Sequence, residues 1–158
     1  MLPAPADAAM TLLERIEAAM RDAMRARDER RTQTLRMAMA AAQNRRIELG
    51  RPLADDEVID VLGKQVKQRR ESIDVYRSAG REEQAGNEEA EAAILAEFLP
   101  EQLTADEVEE LARATIAETG AEGPRDMGRV MGALAPRTRG RADGRVVSEV
   151  VRRLLAEQ

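Results

Sequence analysis

Val146-Val147-Ser148-Glu149-Val150-Val151-Arg152-Arg153-Leu154-Leu155 places apolar pairs four residues apart. That spacing stacks Val146, Val147, Val150, Val151, Leu154 and Leu155 along one stripe of a helix. Asp143, just ahead, is a good N-cap for it. No stretch of the chain alternates apolar and polar with a period of two. Strand-favouring aromatics are nearly absent: one Tyr, one Phe and no Trp. Abundant Ala and Leu favour helix, and small Ala side chains let helices approach closely. The fold class is all-α.

The same periodicity, followed towards the N-terminus, gives six more helices. A short one runs from Asp126 to Ala135, with Met127, Val130, Met131 and Leu134 inward and Pro136 as its stop. Thr104 and Glu107 have capping-box spacing and open a helix that turns Val108, Leu111, Ala112, Thr115 and Ile116 to the core and ends at Gly120. An acidic helix spans Glu82 to Leu99, stopped by Pro100. A long helix from Asp55 to Ala79 carries Val58, Ile59, Leu62, Val66, Arg69, Ile73 and Tyr76. Before it, Leu35, Ala38, Met39 and Ala42 share one face of a helix that ends at Leu49. Arg27 to Arg31 reads as the turn ahead of that helix. Thr11 and Glu14 form a second capping-box pair, opening a helix with Leu12, Leu13, Ile16, Met20, Ala23 and Met24 on one stripe.

The expected organisation is a disordered tail over 1–9, a four-helix domain over 10–99 and a three-helix domain over 100–158. Pro100-Glu101-Gln102-Leu103 is the linker. Met10 stands immediately before the first helix, so it rivals Met1 as a start. About 55 residues are a small but feasible core for the second domain.

With no Cys and no His in 158 residues, disulfides, thiolate metal sites and the usual nucleophile–base pairs are excluded. Catalytic residues, cofactors and metals are expected to be none. No apolar run approaches the roughly 18 residues of a membrane span, and the N-terminus lacks signal-peptide blocks, so a cytoplasmic protein with no membrane partner is expected. Net charge is −5 but unevenly placed. Residues 81–110 hold eleven acids and one base, while 125–145 hold six Arg and two acids. The densest acidic group, Glu88, Glu89 and Glu91, reads as a solvated face. A ridge of Lys64, Lys67, Gln68, Arg69, Arg70, Tyr76 and Arg77 either aids RNA binding or faces water.

The feature that points to function is Pro136-Arg137-Thr138-Arg139-Gly140-Arg141-Ala142-Asp143-Gly144-Arg145. Guanidinium groups grip phosphate oxygens in pairs, and free amides at a helix N-terminus favour anions. Arg137, Arg139, Arg141 and Arg145 could therefore hold phosphates, with Gly140 permitting close approach. Alternatively Gly140 and Gly144 only shape a tight turn, and the arginines pair with the acidic helix over Glu82 to Leu99. The second feature is Asp126-Met127-Gly128-Arg129-Val130-Met131-Gly132. Gly128 and Gly132 lie one turn apart, and interior helix glycines cost about 1 kcal/mol each relative to Ala. Close helix–helix packing would explain them, as would the approach of an RNA backbone.

Leu35-Arg36-Met37, Gln65-Val66-Lys67-Gln68-Arg69-Arg70-Glu71-Ser72, Ala79-Gly80-Arg81, Glu97-Phe98-Leu99-Pro100-Glu101-Gln102-Leu103, Asp126 to Gly132, and Gly140-Arg141-Ala142-Asp143-Gly144 occur in this order. Together these stretches resemble the YqeY family. The resemblance covers Met10 to the C-terminus. It implies an N-terminal helical domain and a tail domain like that of the GatB subunit of the glutamine-dependent aminoacyl-tRNA amidotransferase, where the tail is associated with tRNA. By resemblance, the expected function is a tRNA-binding accessory protein, and an aminoacyl-tRNA synthetase or amidotransferase is an expected partner. The alternatives are an amidotransferase-associated component, under the family label of carbon–nitrogen ligase with glutamine as amido-N-donor, and a protein–protein adaptor. The residues present do not support independent catalysis. The expected nucleic-acid-binding residues are Arg137, Arg139, Gly140, Arg141, Arg145, Gly128, Arg129 and Gly132.

Overall fold

The computed structural model describes residues 10–158; the expected disordered tail over 1–9 lies outside them. The described residues contain seven α-helices, one short 3-10 helix and no strand, so the fold is all-α. The chain divides into two compact units, one ending at Leu99 and one spanning Pro100–Gln158. No described helix is long and apolar enough to cross a membrane.

In the first unit, α1 (Leu12–Arg25) begins at Thr11, whose hydroxyl accepts from the Glu14 N–H while the Glu14 carboxylate accepts from the Thr11 N–H. This satisfies two amides that a helix start leaves unpaired. The turn into α2 (Glu29–Leu49) is shorter than the charge run suggested. Asp28 caps α2, and Arg27 takes the left-handed conformation at φ 57°. Gly50 ends α2 at φ 70°. Next comes α3 (Asp55–Ser78), with Ala54 at its N-cap. Alanine offers no acceptor, so only the reverse half of the box forms, Ala54 N–H donating to the Glu57 carboxylate at 3.0 Å. α4 (Glu82–Ala96) stops three residues earlier than Pro100 alone suggested. Proline disfavours helix at the residue before it, and Phe98 and Leu99 instead make tight turns back to Leu95 and Ala96. Leu12, Ile16, Leu35, Ala38, Val58, Leu62, Val66 and Leu95 form the core.

Arg51 grips Glu57 with both guanidinium ends, at 2.8 and 2.9 Å, closing the α2–α3 connection. That bond, together with the Ala54 N–H, lowers the Glu57 pKa from 4.5 to about 2. A depressed carboxyl contributes stability above its unfolded value and loses it as pH falls through the folded one. The melting-temperature gap between the wild type and Glu57→Gln should therefore be full above pH 4.5 and shrink towards pH 2. A gap unchanged over that window would contradict the ion-pair assignment.

In the second unit, α5 (Ala105–Thr119) has the complete Thr104–Glu107 capping box and ends at Gly120, φ 69°. A 3-10 turn, Pro124–Asp126, leads into α6 (Met127–Thr138), and α7 (Gly144–Ala156) follows Asp143, whose carboxylate accepts from the Arg145 N–H. Pro136 does not stop α6. It sits in the last turn, where its missing N–H forfeits one intrahelical bond and little helix remains to be broken. Val108, Ala112, Ile116, Val130, Leu134, Val147, Val151, Leu154 and Leu155 form the core. Val146 is not part of the stripe; it is 43% exposed on the first turn of α7.

Candidate nucleic-acid interface

The last turn of α6 and its link to α7 hold the arginine cluster, and the chain has strapped much of it down. Arg141 O accepts from the Leu103 N–H at 2.8 Å, and Gly140 O accepts from Gln102 Nε2 at 2.7 Å. Gly140 itself turns the chain at φ 71°, a conformation with little strain only for glycine. Its first role is therefore to make the turn.

The arginines separate into two groups. Arg137, on α6 rather than in the loop, donates to Glu118 at 2.7 Å and to Thr115 Oγ1 at 3.3 Å. Arg141 is half-buried and donates Nε to the Glu101 carbonyl at 3.0 Å. Both therefore hold the unit together. Arg129, Arg139 and Arg145 are exposed, as Arg137 is despite its bonds. Arg129 lies 3.3 Å from Asp126, a surface pair worth about 0–1 kcal/mol and readily exchanged for another anion. Arg139 and Asp143 also have partners. Asp126 itself is held below its ordinary pKa, chiefly by the Glu122 N–H and further by the charge of Arg129.

Gly128 and Gly132 are where the helix-packing expectation fails. Both are exposed, and a Cβ built at either would meet nothing within 4 Å. No neighbouring helix uses their smallness. With Ala135, also exposed, they form one open strip of α6 that leads to Arg139 at its C-cap.

The acidic helix is also not the solvated face that its composition suggested. Arg69 of α3 is only 9% exposed and donates to Glu88 at 3.3 Å and to Glu91 of α4. Arg77 pairs with Glu82 at 3.0 Å and with Glu89 at 2.8 Å. Two members of the α3 basic ridge are thus consumed inside the first unit. Glu109 similarly joins α5 to α7 by accepting from Arg153 at 3.0 Å, which lowers its pKa. Among the described residues no group of three or more acids could hold a metal ion.

The family described as Yqey-like protein matches residues 13–155. A protein named altered inheritance of mitochondria protein 41, mitochondrial, from Pyrenophora tritici-repentis (strain Pt-1C-BFP) is 29% identical over 148 residues. The alignment covers 91% of this chain and 81% of that protein. A match that runs from the first turn of α1 to the last turn of α7 takes in both units and every element described above, and the chain belongs to the YqeY family.

Proposed function

We propose that this chain is a tRNA-binding accessory protein whose Pro100–Gln158 unit, acting as a three-helix tail domain, contacts the phosphate backbone of a folded RNA. The observation that carries the reading is the open glycine strip of α6. Gly132, inside α6, forfeits about 1 kcal/mol in helix propensity, and Gly128, in the first turn, forfeits less. No contact within the unit recovers it. A backbone that must come close to the helix axis would give those positions a use, and folded RNA is recognised largely by shape and phosphate contacts. Arg129, Arg139 and Arg145 stand around the strip and at the start of α7 as phosphate ligands, and Arg137 can join them by exchanging Glu118. Arg141 and Gly140 serve by fixing the loop.

In this reading the chain works beside an aminoacyl-tRNA synthetase or an amidotransferase. Any link to glutamine-dependent carbon–nitrogen ligation is then one of association. The reading places the chain in the cytoplasm, whereas the name of the Pyrenophora tritici-repentis relative places that protein in the mitochondrion. The test compares tRNA binding by the full chain and by the triple variant Arg129→Gln, Arg139→Gln, Arg145→Gln. Each lost phosphate contact should flatten the salt dependence of log K by about one unit. Helicity should be unchanged. An unaltered affinity and slope in the triple variant would end the proposal.

A further inference from the structure

The Leu35-Arg36-Met37 and Gln65 to Ser72 stretches lie on different helices, yet they meet in one side-chain network. Gln65 Nε2 donates to the Met37 carbonyl at 3.4 Å, and Arg69 Nη2 lies 4.0 Å from Met37 Sδ. Glu88 and Glu91 of α4 are both bonded by Arg69 Nη1. Arg69 Nε, on the same edge of the guanidinium as Nη2, is buried without a hydrogen-bond partner. This Nε–Nη2 edge is the one that suits an oxygen acceptor best, since two parallel N–H groups can share it. Here its Nη2 end meets only a thioether, which is a weak acceptor, and its Nε end meets no acceptor. Met37 itself is 55% exposed, so its sulfur is on a side chain that solvent reaches.

We infer that Met37 is a site of reversible oxidation whose sulfoxide oxygen docks on the Nε–Nη2 edge of Arg69. The oxidant is hydrogen peroxide or another hydroperoxide. The sulfur lone pair attacks one peroxide oxygen, the S–O bond forms as the O–O bond breaks, and the other oxygen takes up the proton and leaves as water, or as the alcohol from an organic hydroperoxide. Sulfur loses two electrons and peroxide gains them. A sulfoxide is polar and strongly accepting, so it disturbs a surface that expects an apolar methionine but fits one that presents unused donors. The modification therefore adds a bond between α2 and the Arg69–Glu88–Glu91 group that holds α3 to α4.

The experiment treats the full chain with dilute hydrogen peroxide and follows each methionine by peptide mass spectrometry. Met24, 50% exposed, is the internal comparison. The Arg69 Nε–H resonance is recorded by NMR before and after, in the wild type and in Met37→Leu. The expected result is Met37 oxidised at least as fast as Met24, with the Arg69 signal moving downfield in the wild type and staying in place in Met37→Leu. A Met37 that resists oxidation while Met24 reacts would overturn the inference. So would full conversion at Met37 with the Arg69 signal unmoved.

Discussion

Arg69→Ala should destabilise the first unit by about 3 kcal/mol, because it leaves two carboxylates beside a helix interface with no counter-charge. Glu88 and Glu91 side chains are 24% and 29% exposed, so water softens the effect to the lower end of the range seen for buried pairs. Removing all three charges together, as Arg69→Met with Glu88→Ala and Glu91→Ala, should recover most of the loss, since an apolar replacement leaves nothing uncompensated. Urea unfolding of the three proteins measures both effects. Equal stability of wild type and Arg69→Ala would show that the α3–α4 seam is held by Ala and Leu packing alone.

Leu154→Ala acts on the second unit and should unfold it. Leu154 is 1% exposed, among Val147, Val151 and Leu155. Truncating a buried leucine removes about 2–5 kcal/mol. A single core in a unit this small supplies about 3–5 kcal/mol. The margin is therefore close to zero, whereas the first unit, with its own core, should remain folded. Amide NMR should show collapse of signals from 100–158 and retention of those from 12–99. Simultaneous loss of both sets would mean that the chain unfolds as one cooperative body.

The capping boxes at Thr11 and Thr104 and the stops at Gly50 and Gly120 were legible because their signals are local, three residues or one conformation wide. Helical periodicity likewise gave most of the inward faces. Pro136 misled, because its effect depends on whether it falls within the last turn, and sequence does not fix that register. The acidic run misled for a different reason. Periodicity says which residues share a face but not what that face meets, and Arg69 lies 19 and 22 residues from its carboxylates. The arginine cluster was visible as composition; that Arg137 and Arg141 bond back to the unit was not, because their partners lie 19 to 40 residues away.

The glycine strip gives the most direct test, because stability and binding should move in opposite directions. Gly128→Ala with Gly132→Ala adds two methyl groups in open space on an α-helix, and should raise the stability of the second unit, by about 1 kcal/mol at interior Gly132 and by less at Gly128 in the first turn. If a phosphate backbone approaches that strip, the same double variant should bind tRNA several-fold more weakly at fixed salt, despite its higher melting temperature. A variant that melts higher and binds tRNA as tightly as the wild type would contradict the account.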